Sequence, residues 1–208
     1  MSKQHRSILR AISVGTAAAG LILATSGCGI AAPASASAAP QPAHSPTAPA
    51  GQAEPVPAGW VVTTDVPTGF SAALPSTAQP GDQTADNVRT RFYASAVPGH
   101  HASVVFAVDD LPDDATVTDA VLDEHLSALN DELSHVTSAQ HLVADGRPTL
   151  DGRLSSSIGD QPATLLVRYQ AVGRHVVTVL STGLQADENA LSTVHQQALS
   201  SVELPVFH

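Results

Sequence analysis

The side chains able to do chemistry are histidine, aspartate, serine and one cysteine, and their spacing is the first thing to weigh. His100 and His101 are adjacent in a Pro98-Gly99 turn, where neighbouring side chains diverge and cannot chelate a metal without a distant third ligand. Asp109, Asp110, Asp113 and Asp114 offer oxygen ligands suited to Ca²⁺, yet they lack the EF-hand spacing and closing Glu, and Leu111-Pro112 interrupts them. They are expected to form a solvated loop before a helix. Asp123 and His125 stand two apart on that helix and point to different sides. His135, His141, His175 and His195 are scattered, and Ser155-Ser156-Ser157 supplies hydroxyls with no neighbouring base in sequence. There is no G-x-S-x-G elbow, P-loop, G-x-G-x-x-G or H-E-x-x-H, so no catalytic, cofactor-binding or metal residue is assigned. The expectation is a domain that is not an enzyme and needs no cofactor. The alternative is an envelope hydrolase assembled from scattered Ser, His and Asp.

The cysteine is different because of its position. Residues 1–10 are basic, with Lys3, Arg6 and Arg10, and Ala11 to Ala24 form a charge-free apolar run of fourteen residues. As a helix this run spans roughly 21 Å, short of the ~30 Å hydrocarbon core, which suits an export signal better than a permanent span. Thr25, Ser26 and Gly27 then precede Cys28, the one cysteine in the chain. Small residues give a peptidase access to the backbone, and the thiol is a nucleophile for acylation. These residues resemble the lipobox of bacterial lipoproteins, with Thr25 where Leu is commonest. The resemblance implies cleavage between Gly27 and Cys28 and a diacylglyceryl group, with palmitate-type chains, on Cys28. Two chains hold a protein on a membrane durably, where one holds it marginally. The implied location is the extracytoplasmic face of the cell membrane.

Gly29 to Gly59 is rich in Ala, Pro, Ser and Gly, with prolines at 33, 40, 42, 46, 49, 55 and 57. Such a segment cannot hold a helix and has little to bury, so it reads as a spacer reaching on the order of 90 Å when extended. The chain thus divides into a signal peptide (1–27), a lipidated cysteine with its linker (28–59) and a globular domain (60–208). From Cys28 onward there are six arginines, no lysine and nineteen acids, a net charge near −13 with His neutral. This charge repels nucleic acid and anionic headgroups, so neither is an expected partner. One cysteine excludes an intrachain disulfide framework.

Within the domain, Phe70, Ala72 and Leu74 alternate as one face of a strand that Pro75 ends, and Arg91 to Val97 is a second strand. Ala102 to Val108 is apolar on both faces and reads as a covered central strand. Thr118 is a good N-cap for a helix carrying Leu122, Leu126, Leu129 and Leu133 on one stripe. Further strands are expected at Val136–Val143, around Leu154–Ile158, at Thr164–Ala171 and at Arg174–Ser181, with Val172-Gly173 turning a hairpin. A closing helix from Asp187 to Ser200 puts Leu191, Val194, Ala198 and Val202 on its apolar side. The order of strands, helix, strands, helix predicts an α+β fold, an antiparallel sheet with helices packed on it.

Several short motifs in this order resemble PsbP-like and Mog1-like domains of small actinobacterial lipoproteins. They are Gly69-Phe70 leading to Leu74-Pro75, the strand ending at Asp109 to Pro112, the turn at Gly146 and Pro148, the Gly173-Arg174 hairpin and the Val202-Glu203-Leu204 tail. Such domains often end in an aromatic-rich Ser-Phe segment, replaced here by Ser201-Val202-Glu203-Leu204. The resemblance covers about Trp60 to Leu204 and implies an α/β/α sandwich. It also implies a non-catalytic binding or assembly module, whose partner would be an envelope protein or an apolar ligand held between sheet and helix.

Overall fold

The computed structural model describes residues 56–130 and 134–205. Two short strands, β1 (Val61–Asp65) and β2 (Phe70–Leu74), form an antiparallel hairpin. Then follow β3 (Gln79–Ala85), β4 (Val88–Ala96), β5 (Ala102–Asp110), helix α1 (Asp119–Leu129), β6 (Ser134–Ala144), β7 (Arg147–Ile158), β8 (Gln161–Val172), β9 (His175–Leu184), a 3₁₀ turn and helix α2 (Glu188–Ser200). The seven strands β3 to β9 make one antiparallel sheet in the order β3-β4-β5-β9-β8-β7-β6. The connection through α1 carries the chain from β5 to the far edge, and β9 returns to the middle.

Period-two alternation divides the sheet into two covered faces. Val105, Ala107, Leu150, Leu154, Leu165, Val167, Tyr169, Val176 and Leu180 meet Leu122, Leu126 and Leu129 of α1 on one face. On the other, Val104, Phe106, Val108, Val177 and Val179 meet Phe70 and Leu74 of β2 and Ala198 of α2. The expected α/β/α sandwich on an antiparallel sheet is therefore present. Gly152 explains how closely α1 approaches: a Cβ there would lie 2.7 Å from Leu126 Cδ1 and 2.9 Å from Val167 Cγ1.

Several local expectations differ from the structure. β1 and β3 were not expected. β3 reads Gln-Pro-Gly-Asp-Gln-Thr-Ala, too polar for a core strand, and it forms because it is an edge strand paired along its whole length with β4. The turn joining them is legible afterwards: Asp86 and Asn87 have φ of 50° and 64°, the left-handed pair of a tight hairpin. Thr118 and Asp187 occupy the N-cap positions but make no side-chain cap bond. The hairpin into β9 pairs Val172 with His175, so its turn residues are Gly173 and Arg174 rather than Val172 and Gly173. Leu133 of the expected α1 stripe lies outside the described residues.

Candidate functional site

At one end of the sheet, alternation sends the consecutive residues Asp109 and Asp110 to opposite faces, and each nucleates a buried polar group. Both carboxylates were expected in a solvated loop. Instead they close β5 inside the protein, because the strand runs two residues further than its apolar core.

Asp110 faces the β1–β2 hairpin. The Arg91 guanidinium, nearly inaccessible, bridges it to Asp65, which is fully buried. Arg91 Nε donates to Asp65 Oδ1 at 2.6 Å and Nη2 to Asp65 Oδ2 at 3.0 Å. Nη2 also donates to Asp110 Oδ1 at 3.0 Å, and Nη1 pairs with the same carboxylate. Thr68 Oγ1 (2.5 Å) and Tyr93 OH (3.0 Å) donate to Asp65, and His175 Nδ1 lies 2.8 Å from Asp110 Oδ1. The His175 ring stands edge-on to Phe70, with centroids 5.5 Å apart. Burial alone would raise both carboxyls, but Arg91, helped by Thr68 and Tyr93 at Asp65 and by His175 at Asp110, holds both below the usual carboxylate range. The Arg91 pKa is raised, chiefly by its bonds to Asp110, and burial beside Asp65 pushes the Tyr93 phenol up to about 12. At neutral pH the group holds two carboxylates around the Arg91 cation. It fastens the hairpin to the sheet.

On the α1 face, Asp109 Oδ1 accepts from Thr90 Oγ1 at 2.5 Å and its Oδ2 lies 3.2 Å from His125 Nε2. His125 Nδ1 is 2.8 Å from the Val121 carbonyl. Both ring nitrogens therefore face acceptors, which the doubly protonated ring satisfies. Burial opposes that charge, yet the Asp109 carboxylate, the Val121 carbonyl and Glu124 raise the His125 pKa. Asp123, as expected, points elsewhere: it is exposed and meets His141 at 2.9 Å.

A third group lies under α2. Ser181 Oγ and His195 Nδ1 are 3.0 Å apart. This is the hydroxyl–imidazole distance that nucleophilic catalysis requires, but Ser181 is fully buried and His195 is only 5 % exposed. Burial pulls the His195 pKa down to about 4, so the ring is neutral. The nearby acid, Asp151, is engaged by Arg168 at 2.6 and 2.7 Å. His195 joins Leu191 and Ala198 on the buried face of α2, with Val194 half-buried against the same core as expected.

The remaining candidates lie apart. His100 and His101 are exposed in the β4–β5 turn, with His100 3.8 Å from Asp187. Asp113 pairs with Arg174 at 2.7 Å, and Asp114 is exposed. Ser155 meets the His135 carbonyl at 3.5 Å rather than an imidazole. Among the described residues no group of three His, Cys, Asp or Glu is placed to hold a metal, and no helix is long and apolar enough to cross a membrane. Gly27 and Cys28 lie outside the described residues. Asp65 and Arg91, the centre of the buried network, carried no motif in the sequence. Arg89 and Arg91 stand two apart on one face of β4, so alternation did not single out Arg91 as the buried one.

No family model and no curated protein matches this chain. Among solved structures it is similar to the cyanobacterial PsbP protein CyanoP from Synechocystis, at 15 % identity and a TM-score of 0.54, covering 76 % of this chain and all of that one. A second is LpqN of Mycobacterium tuberculosis, described as involved in cell envelope biogenesis, at 14 % identity and a TM-score of 0.44, covering 73 % and 82 %. A third is a protein of unknown function from Pseudomonas aeruginosa, at 10 % identity and a TM-score of 0.45, covering 62 % and 99 %. The likeness to CyanoP establishes a PsbP-like fold.

Proposed function

We propose that this chain is a lipoprotein of the actinobacterial type, anchored through lipid on Cys28 at the extracytoplasmic face of the cell membrane, with a PsbP-like domain that binds a partner rather than transforming a substrate. The observation that carries the reading is the single cysteine of the chain, placed four residues after a fourteen-residue apolar run with a basic start. The Pro- and Ala-rich segment that follows supplies reach, and the domain supplies the recognition surface. The burial of the polar groups supports the binding role: Arg91 and His195 are almost closed to solvent and the His125 side chain is 11 % exposed, so a substrate has little access to them. A protein partner is favoured over an apolar ligand between sheet and helix, because Leu122, Leu126 and Leu129 already fill that space.

The test is intact mass and membrane partition in a lipidating bacterium, beside Cys28→Ala. The expected result is a wild-type chain starting at Cys28 with diacylglycerol attached and pelleting with membranes, while the variant is released or left uncut. A soluble, unmodified wild type cut elsewhere would refute the anchor.

The hydrolase reading has one observation in its favour, the Ser181–His195 contact. Labelling of Ser181 by a fluorophosphonate would establish it. Its burial predicts no labelling.

A further inference from the structure

An open sheet edge presents unpaired N–H and C=O groups, and folded proteins usually blunt it with charge, proline or a covering element. β3 follows the rule, with Pro80, Gly81 and an Asp82–Arg89 ion pair. β6 does not. Ser134–Ala144 contains no Asp, Glu, Lys, Arg, Pro or Gly, and no strand lies outside it among the described residues. After one irregularity at Val136/Ser138, it pairs in unbroken register from Ser138–Arg153 to Ala144–Arg147. Ser138, Ala139, Gln140 and His141 are exposed, and Val143 is 72 % exposed. From Ser138 to Ala144 this edge, free of Asp, Glu, Lys and Arg, offers a regular ladder on which another strand can pair.

The flank of that template is acidic. Asp119 and Asp123 of α1 stand beside it, with side chains 67 % and 59 % exposed, and reach the His141 ring at 3.7 and 2.9 Å. Five of the six arginines of the domain, Arg89, Arg91, Arg153, Arg168 and Arg174, each face another acid of the chain, and Arg147, opposite Ala144 at the end of β6, forms no ion pair with Asp119 or Asp123 among the described residues. A second copy is a poor occupant. Antiparallel pairing of two β6 edges about a two-fold axis keeps both α1 helices on the same face and brings their carboxylates together.

We infer that the β6 edge docks an extended, basic segment of a partner polypeptide, added as an eighth strand with lysine or arginine side chains turned toward Asp119 and Asp123. Backbone bonds supply affinity and the period of two supplies specificity, since every second residue of the incoming strand faces α1. The inference rests on the domain being a binding module and names the chemistry of its partner.

The test uses the whole mature chain in soluble Cys28→Ala form, so anchoring plays no part in the result. The probe is a synthetic peptide of alternating lysine and threonine, and the control replaces lysine with glutamate. The readouts are fluorescence anisotropy and residue-resolved amide exchange. Expected are binding of the lysine peptide that falls with added salt, slowed exchange confined to Ser138–Ala144, and no binding of the control. Asp119→Asn with Asp123→Asn, two exposed positions whose replacement leaves the core intact, weakens binding about tenfold. Ala139→Lys, which adds a cation on the exposed edge, abolishes it. Equal binding of the control peptide, equal binding to the neutralised variant, or protection at β3 instead of β6 overturns the inference. So does a dimer in light scattering with β6 protected in the absence of peptide, which makes a second copy the occupant. Failure here leaves the lipid anchor standing, and release of Cys28→Ala from membranes says nothing about this edge.

Discussion

Replacing Arg91 with methionine keeps much of the side-chain volume and removes the guanidinium shared by Asp65 and Asp110. Asp65 is fully buried and Arg91 is 7 % exposed at its side chain, so water cannot take the place of the lost partner. Asp110, 20 % exposed, recovers some solvation. Stranding one buried carboxylate costs about 3–5 kcal/mol, a large share of the 5–15 kcal/mol typical of a whole domain. The pH dependence distinguishes this cause from lost packing. In the wild type both carboxyls are held low, so they contribute stability above about pH 4 that is lost as pH falls through their depressed values. Without Arg91 the burial that raises Asp65 is opposed only by Thr68 and Tyr93. Its folded pKa then exceeds the unfolded one, and the penalty, full near neutrality, shrinks as acid protonates the carboxyl. Urea unfolding followed by circular dichroism at pH 7 and pH 4 measures both effects. Arg91→Met should lose about 3–5 kcal/mol at pH 7 and much less at pH 4, and Asp65→Asn added to it should recover part of the loss. A pH-independent deficit, or one under about 1 kcal/mol at pH 7, would refute the idea that the cluster is an electrostatic latch.

Other outcomes follow from the same structure. His195, depressed to about 4 by burial, favours the fold above the unfolded His value near 6.5, and that contribution, roughly 3 kcal/mol at most, is lost between pH 6.5 and 4. His195→Asn should flatten the stability profile in that window. His125 has the opposite sign: its raised pKa contributes stability that is complete below about 6.5 and is lost as pH rises through the folded value, so His125→Asn should remove a decline on the alkaline side. Gly152→Ala should cost about 1–3 kcal/mol by pushing Leu126 and Val167 apart, measurable as a lower urea midpoint. Leu122→Ala, at a fully buried position under α1, should cost about 2–5 kcal/mol and lower the melting temperature.

Local patterns were enough for much of the architecture. The covered strand Ala102–Val108, the stripe of Leu122, Leu126 and Leu129, and the alternation of Leu165, Val167 and Tyr169 follow from periods of 2 and 3.6, which the backbone imposes wherever one face is buried. The proposed export and lipidation signal, the short apolar run with Gly27 and Cys28, is also a local pattern, since signals of that kind are read in an unfolded chain. Edge strands were harder. β3 is held by backbone pairing with β4 rather than by its own apolar content, so its composition said nothing of its role. The polar clusters belonged to tertiary structure alone. Asp65 and Arg91 stand 26 residues apart, and His175 lies 65 from Asp110. Whether Asp110 is a solvated loop residue or half of a buried ion pair depends on which strand end meets it in space. The free energy of a charge is set by its neighbours and its access to water, and both are decided only when the sheet closes.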